Sequence, residues 1–226
     1  MTVTLITGGS SGIGAAVARQ LLALGHQVTI TGRDKSRLDA FGSDALTVVG
    51  DAAEPSAASD AVNRTVEAFG RLDNIVANAG YATHDSIGDG DRVVGWRHMV
   101  LTNVLGPAAL IHYSLPALRE SRGRIVLVGS LAGHVHTPGN MYGATKFAVT
   151  GLAENVRQLV APDGIGVTLV SPGAVETAFS DPVGGLEPGL PRISADQLAA
   201  TIVFALNQPP EVDLSTLIVR PVGSVR

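Results

Sequence analysis

Two residues four positions apart, Tyr142 and Lys146, have side chains suited to moving a proton. They stand in residues 141–146, which follow a Pro-Gly-Asn turn and begin a segment of helical period. Residues at i and i+4 share one face of a helix, so both side chains can point into one crevice. A tyrosine with its ordinary pKa of about 10 is a poor acid or base at neutral pH, and a nearby ammonium favours the phenolate. The pair therefore indicates general acid–base catalysis.

Two other polar residues could take part in the same chemistry. Ser130 follows the apolar run 124–128, and its hydroxyl could hold a substrate carbonyl. Asn103 lies in an apolar stretch of helical period, where a buried amide needs hydrogen-bond partners. It could equally be a structural asparagine. Chance would place a lysine four residues after a tyrosine in roughly 3% of such chains, so Tyr142 and Lys146 need supporting motifs.

A glycine-rich loop follows the first apolar run of the chain. Its sequence, residues 7–14, is T-G-G-S-S-G-I-G. Glycines allow a tight turn and close approach of the backbone to a pyrophosphate, and the helix that follows presents free N–H groups and its positive dipole end. The loop predicts a dinucleotide site, and the residues assigned to it are Gly8, Ser10, Ser11, Gly12, Ile13 and Gly14. The alternative is a tight turn that only needs small residues.

The same loop also matches G-x-S-x-G around Ser10, the pattern of a hydrolase nucleophile elbow. In that fold the serine follows a central strand that comes after several earlier elements. Ser10 follows the very first run instead, so we favour the dinucleotide site over the hydrolase.

The end of the second apolar run bears on the choice of cofactor. An NAD site places an acidic side chain there for the ribose hydroxyls, whereas an arginine suits the 2′-phosphate of NADP. The run ends Thr31-Gly32-Arg33-Asp34, so Gly32 leaves space where the carboxylate would lie. We therefore predict NADP, with NAD left open by Asp34. An ordinary solvated charge is the alternative for Arg33.

The hydrophobic pattern outlines the framework that must position these residues. Short β-branched runs alternate with longer segments of helical period. The predicted strands are residues 2–6, 27–31, 46–49, 74–77, 124–128, 167–170 and 217–219, and the predicted helices are residues 12–24, 35–41, 55–69, 91–118, 141–160 and 195–206. They predict an α/β protein, a single Rossmann-fold domain over residues 1–226 with a seven-stranded, mainly parallel, doubly wound sheet and helices on both faces. Ligands of such sheets bind outside the carboxyl ends of the strands, and the irregular segment 178–194 is expected to form a lid there.

The composition argues against other classes of protein. The chain is 45% hydrophobic and 16% charged, which fits a sheet buried on both faces rather than disorder. A net charge of -4 without a basic run gives no footprint for nucleic acid. The uncharged segments 98–118 and 125–145 are broken by Pro, Gly, Asn or His, so we expect no membrane span. With no cysteine and no secretory signal before the first run, we expect a cytoplasmic protein.

Taken together, these motifs resemble the short-chain dehydrogenase/reductase family of the single-domain type, from end to end. The matching residues are 7–14, Asp51, 78–80, Asn103, Ser130, Tyr142, Lys146, Pro172, Gly173 and Thr177. The resemblance implies that Tyr142 is the general acid/base and that Ser130 orients the substrate carbonyl. It implies that Lys146 holds the nicotinamide ribose and lowers the pKa of Tyr142. It also implies that Asn103 holds a water that relays protons through Lys146.

The resemblance further implies how a cofactor is held. Asp51, with Ala52, would hold the adenine; Asn78, Ala79 and Gly80 would pack near the adenosine ribose; Pro172, Gly173, Val175 and Thr177 would fix the nicotinamide, which Tyr142 and Lys146 also approach. Residues 31–33, 139–146 and 219–222 look like those of members that act on 3-hydroxy acids with NADP. The chain departs from the family at Ala77, where many members have a second Asn, and in a loop before Tyr142 that is one residue shorter than is common.

Two further expectations concern histidines and partners. His134 and His136 lie between Ser130 and Tyr142, where we expect them to line a substrate pocket, with plain loop histidines as the alternative and no metal site. The segment 143–160 has more apolar residues than one sheet face requires, namely Phe147, Val149, Leu152 and Val156. The resemblance implies that a second copy covers them, in a homodimer or homotetramer.

The function favoured by these residues is an NAD(P)-dependent oxidoreductase that acts on a small-molecule carbonyl or secondary alcohol. A catalytically silent redox sensor that binds the dinucleotide is the alternative. Such a sensor would keep the glycine-rich loop but would need none of Ser130, Tyr142 and Lys146. All three are present, which favours the enzyme.

Overall fold

The computed structural model of the chain describes residues 1–83, 85–89, 93–179 and 189–224. Its strands are β1 Val3–Ile6, β2 Gln27–Gly32, β3 Leu46–Val49, β4 Asn74–Ala77, β5 Arg124–Val128, β6 Gly166–Pro172, β7 Val175–Glu176, β8 Ile193–Ser194 and β9 Thr216–Val219. Its α-helices are α1 Gly12–Ala23, α2 Lys35–Asp39, α3 Pro55–Phe69, α4 Val93–Val100, α5 Gly106–Ser121, α6 Met141–Val160 and α7 Ala195–Leu206. None of the described helices is both long and apolar enough to cross a membrane.

Seven of the strands form one sheet in the order β3-β2-β1-β4-β5-β6-β9, and every neighbouring pair is parallel. The chain winds outward from β1 in one direction through β2 and β3, and in the other direction from β4 onward. This doubly wound Rossmann arrangement confirms the predicted fold class. Ligands bind where the strand order reverses, which places a site beyond the carboxyl ends of β1 and β4.

Helices cover both faces of the sheet. On one face, α3, α5 and α6 pack against side chains such as Ile125 and Leu127 of β5. On the other face, α1, α2 and α7 pack against the cluster that contains Val126 and Val128 of the same strand. Successive residues of a strand point to opposite faces, so a strand covered on both sides is apolar throughout. This explains why the strands are continuous apolar runs in the sequence.

The long helix predicted over residues 91–118 is interrupted, and its first two residues lie outside the described part of the chain. A π-helical turn, Leu101–Leu105, separates α4 from α5. Pro107 has no N–H to donate to the carbonyl of Asn103, so one α-helical hydrogen bond is missing at this point. The residue before it, Gly106, has to be glycine, because a Cβ at this position would lie only 2.5 Å from a carbonyl oxygen of the loop after β3. Such π turns are frequent at functional sites, and this one contains Asn103.

The predicted lid, residues 178–194, falls partly outside the described residues, since nothing is described between 179 and 189. Its last two residues form β8, which pairs in parallel with β7, the short strand that follows β6. The end of this segment is therefore tied to the loop that leaves the main sheet.

Candidate active site

A cleft of about 620 Å³ opens at the carboxyl ends of the parallel strands. Its volume is within the range of small-molecule and cofactor sites. The structure places every site residue assigned from the sequence in the wall of this cleft, with the exceptions of Gly14 and Asn103. Those in the wall are Gly8, Ser10, Ser11, Gly12, Ile13, Arg33, Asp51, Ala52, Asn78, Ala79, Gly80, Ser130, Tyr142, Lys146, Pro172, Gly173, Val175 and Thr177.

The glycine-rich loop after β1 is held from behind by the loop after β4. Asn78 donates its side-chain amide to the carbonyl oxygens of Thr7 at 3.0 Å and of Gly8 at 3.2 Å. Gly8 has a φ of +66°, a left-handed conformation that favours glycine. A Cβ on Gly14 would lie 2.6 Å from Asn78 Nδ2. The structure therefore gives Gly14 a packing role behind the cleft rather than a place in its wall.

The first turn of α1 presents open N–H groups to the cleft. Ser11, the residue before α1, makes no side-chain cap hydrogen bond to the helix. Ser11, Gly12 and Ile13 all line the cleft. The N–H groups of a helix N-terminus and its positive dipole end attract anions. This end of α1 could hold a phosphate or pyrophosphate.

The loop after β2 brings two arginines to one end of the cleft. Arg33 was assigned to the site from the sequence and lines the cleft. Arg37, in α2, lines the same cleft. The absence of a side chain at Gly32 avoids a clash, because a Cβ at this position would lie only 2.6 Å from Ser10 Oγ. An anionic group bound here would meet two guanidinium groups. The sequence pattern missed Arg37 because the direction of α2 depends on packing and not on spacing along the chain.

Asp34 is engaged outside the cleft. Its carboxylate accepts hydrogen bonds from the Ser36 hydroxyl at 2.7 Å and from the Arg37 backbone N–H at 3.2 Å, at the start of α2. These hydrogen bonds hold the pKa of Asp34 below its ordinary value. It also pairs with the Arg37 Nε at 3.3 Å. Asp34 is thus a helix cap and is not among the residues of the cleft wall, where an NAD site would place an acidic group.

Ser130, Tyr142 and Lys146 meet next to the end of β5. Ser130 is hydrogen-bonded to the Tyr142 hydroxyl, and its Oγ accepts the backbone N–H of Ala132 at 3.1 Å. The Nζ of Lys146 lies 5.7 Å from the centre of the Tyr142 ring and donates to the Val128 carbonyl at 3.0 Å. The structure thus brings together three groups that could bind and protonate a carbonyl oxygen.

Burial governs the acidity of the two ionisable groups in this cluster. It raises the pKa of Tyr142 to about 12, against the opposing effect of the hydrogen bond with Ser130. It lowers the pKa of Lys146 to about 8. The spacing in the sequence led us to expect a lowered pKa for Tyr142, and the structure shows the opposite direction. The reason is that removal from water disfavours the phenolate more strongly than the neighbouring groups favour it.

Asn103 lies behind the cleft and is only 2% exposed. Its Oδ1 accepts the backbone N–H of Tyr81 at 2.8 Å, and its Nδ2 donates to the Tyr81 carbonyl at 2.8 Å and to the Thr145 hydroxyl at 3.0 Å. Both N–H groups of the amide are therefore used. The main-chain carbonyl of Asn103, which Pro107 cannot bond, is the group of this residue that could hold a water.

Several residues of the cleft wall were not singled out from the sequence, among them Tyr81, His98 and Phe179. The ring centres of Phe179 and Tyr142 are 6.0 Å apart. His98 meets Tyr81 edge to face at 4.9 Å. These residues come from separate loops and a helix with no shared motif, so only the folded chain shows that they lie in one wall.

The two histidines of the loop after β5 lie away from the cleft wall, contrary to the prediction. The Nε2 of His134 is hydrogen-bonded to Ser171 Oγ at 2.9 Å. His136 stacks on a phenylalanine of α6, with ring centres 4.9 Å apart. Val135, between them, is the residue that lines the cleft. The chain turns at His134 and bends at Val135, and this places the valine rather than the histidines in the wall.

Proteins similar to this chain in sequence and in fold are known. The family model described as short chain dehydrogenase matches residues 2–185. An uncharacterised oxidoreductase of Staphylococcus saprophyticus is 33% identical, over 97% of this chain and 97% of that protein. Serine 3-dehydrogenase of Agrobacterium fabrum is 31% identical, over 97% of this chain and 93% of that protein. The solved closed form of serine dehydrogenase complexed with NADP+ matches with a TM-score of 0.93 and 26% identity, over 100% of this chain and 97% of that chain.

Proposed function

Since this chain belongs to the short-chain dehydrogenase/reductase family, we propose that it transfers a hydride between NADP(H) and a small-molecule carbonyl or secondary alcohol. The observation that carries this proposal is the cluster of Ser130, Tyr142 and Lys146 in the same cleft as the glycine-rich loop. One end of the cleft can hold an anionic nucleotide and the other can protonate a carbonyl oxygen.

In the proposed reduction, Tyr142 donates its hydroxyl proton to the carbonyl oxygen. The raised pKa keeps this hydroxyl protonated at neutral pH, which suits an acid. Ser130, already hydrogen-bonded to Tyr142, orients the same oxygen. Lys146 holds the hydroxyls of the nicotinamide ribose, and a water on the main-chain carbonyl of Asn103 would return a proton through Lys146. The cofactor supplies the hydride from its nicotinamide ring when it is bound.

The described residues at the other end of the cleft fit NADP. The guanidinium groups of Arg33 and Arg37 suit a 2′-phosphate. The engagement of Asp34 as a helix cap favours NADP over NAD, which stays the second candidate. The solved serine dehydrogenase relative is complexed with NADP+. We assign the adenine to Asp51 and Ala52, the adenosine ribose to Asn78, Ala79 and Gly80, the pyrophosphate to the start of α1, and the nicotinamide to Pro172, Gly173, Val175 and Thr177.

The test is a spectrophotometric assay of NADPH oxidation with ketones, aldehydes and 3-oxo acids, repeated with NADH. The names of the serine 3-dehydrogenase relatives make 3-oxo acids, and 3-hydroxy acids in the reverse direction, the first compounds to assay. We expect turnover with at least one class of carbonyl compound. Binding of NADPH without turnover on any of them would contradict the proposal and favour a catalytically silent sensor. Failure to bind either dinucleotide would contradict both functions.

We expect the kcat/KM of carbonyl reduction to fall as the pH rises through about 8. This quantity reports ionisations of the free enzyme, and Lys146 loses its proton there whereas Tyr142, with a pKa of about 12, keeps its own. The check is a pH profile of the wild type and of Lys146→Arg. Arginine stays charged, so the fall should move to higher pH in the variant. A fall near the same pH in both proteins would assign it to another group.

We also propose that the exposed side of α6 is covered by a second copy of the chain. The sequence suggested that α6 has more apolar residues than it needs to pack on the sheet of its own chain. Two of them, Val149 and Val156, are buried against that sheet. The exposed side carries small residues and one large apolar residue, namely Ala144, Ala148, Gly151 and Leu159, together with the polar residues Glu154, Asn155 and Gln158. Close approach of a second helix favours such small residues.

For this assembly we expect a mass in light scattering of at least twice the 23.1 kDa of one chain. Gly151→Arg should reduce it to that of one chain, because no atom lies within 4 Å of a Cβ at this position and the single chain tolerates the side chain. Ala68→Arg, at an exposed position of α3, is the matched control and should keep the wild-type mass. A wild type that is monomeric would refute the assembly.

A further inference from the structure

One hydroxyl group connects the buried amide behind the cleft to the helix that carries Tyr142. Thr145 lies one turn into α6, is 3% exposed and is not part of the cleft wall. Its Oγ1 donates to the Tyr142 carbonyl at 2.7 Å and accepts the Nδ2 of Asn103 at 3.0 Å. The oxygen is thus used both as donor and as acceptor, and both of its partners belong to the proposed site.

The chain of hydrogen bonds extends to the loop after β4. The amide of Asn103 holds the N–H and the carbonyl of Tyr81, each at 2.8 Å, and Tyr81 lines the cleft just after β4. The Asn103 amide therefore joins the π turn to the loop after β4, and the Thr145 hydroxyl joins that amide to the start of α6. None of these three segments is adjacent to another in the sequence.

We propose that Thr145 is a positioning residue: its hydroxyl ties Asn103 to the first turn of α6 and so sets where the Tyr142 phenol stands relative to Ser130 and Lys146. The inference rests on the proposed function, since it concerns the geometry of the same reaction. Tyr142 is the second residue of α6, within the first turn, where the backbone N–H groups have no partner inside the helix. A shift of a reacting group by a fraction of its bond distances costs rate even when the substrate and cofactor still bind.

Replacing Thr145 by Val keeps the shape of the side chain and removes the hydroxyl. One N–H of the buried Asn103 amide then loses its partner, and the Tyr142 carbonyl loses a donor. We expect kcat to fall about tenfold or more while the KM for NADPH stays within about twofold. Thr145→Ser restores the hydroxyl without the methyl group and should keep kcat within about threefold of the wild type.

A matched control exists in a helix away from the site. Thr65 of α3 is fully buried, and its Oγ1 donates to the carbonyl of Ala61 at 2.6 Å and contacts the hydroxyl of Thr29 at 2.9 Å. Thr65→Val removes the same kind of hydroxyl with the same kind of partners. It should lower Tm as Thr145→Val does and leave kcat unchanged. A loss of kcat in Thr145→Val alone then reports on position and not on stability.

The experiment measures kcat, KM for NADPH and Tm for these variants, and kcat for Asn103→Ala with and without Thr145→Val. If Thr145 acts through Asn103, the second substitution adds little to the first. The inference is overturned if Thr145→Val keeps more than about half of the wild-type kcat, or if Thr145→Ser loses as much kcat as Thr145→Val. It is also overturned if the losses of kcat caused by Asn103→Ala and by Thr145→Val multiply in the double variant. Should Thr145→Val not fold, Thr145→Cys replaces it under the same criteria, since its thiol is a weak donor of similar size.

The wild-type measurement separates the two proposals. A wild type without turnover on any carbonyl compound overturns the proposed function, and the positioning role with it. A wild type that turns over, beside an undiminished Thr145→Val, overturns the positioning role alone.

Discussion

Tyr142→Phe should lower kcat for carbonyl reduction by about a thousandfold, within the range by which general acid–base groups accelerate reactions. The substitution removes one oxygen from a half-buried ring and leaves the ring's packing against Phe179 in place. It takes away the proton donor that the cluster with Ser130 presents to the substrate. Cofactor affinity should be nearly unchanged, because the arginines, the glycine-rich loop and Lys146 are all retained.

The measurement is steady-state kinetics with NADPH, together with a fluorescence titration of NADPH binding. Tyr113→Phe is the control, since Tyr113 lies on the exposed side of α5 and makes an edge-to-face contact with His112 only one residue away. It should keep the wild-type kcat. If Tyr142→Phe retained more than about a tenth of kcat, a different group would have to donate the proton.

Arg33→Ala should raise the KM for NADPH roughly tenfold or more and leave the KM for NADH nearly unchanged, because a charged hydrogen bond to the 2′-phosphate contributes about 1.5–3 kcal/mol. Arg37→Ala should have a smaller effect in the same direction, since Asp34 already pairs with Arg37. The two substitutions together should bring the preference for NADPH over NADH close to one. Both arginines line the cleft wall, so they can share one phosphate.

The check is the ratio of kcat/KM for the two cofactors in each variant. Arg64→Ala is the control: this arginine of α3 is exposed, pairs with Asp60 at 4.0 Å and lies outside the cleft. It should leave the ratio unchanged. An equal rise in KM for NADPH and NADH in Arg33→Ala would show that this arginine does not read the phosphate.

The order and type of the main elements could be predicted from the sequence because each is a local pattern. The bounds of β3, β4 and β5 agree with those expected from their apolar runs. A parallel sheet covered on both faces makes such runs continuous, and tight turns at their ends make them short. Most site residues could be assigned for the same reason, since parallel strands place their carboxyl ends at one edge.

Features that depend on contacts between distant segments could not be predicted. The π turn at Asn103 lies where α5 approaches the loop after β3 at Gly106 and where Pro107 removes one helical hydrogen bond. β7 and β8 are two residues each, too short for any period to show. Arg37 and Phe179 line the cleft because of how their segments pack, and no spacing in the sequence predicts this.

What the sequence determined by itself is that Tyr142 and Lys146 share one face of a helix and that Ser130 follows a buried strand. What only the tertiary structure decided is their chemistry. Burial raises the pKa of Tyr142 to about 12 and lowers that of Lys146 to about 8, opposite to the expectation from spacing for the tyrosine. Spacing fixes which groups are neighbours along a helix. Their ionisation depends on how much water the surrounding elements remove, and that follows from the packing of the whole chain.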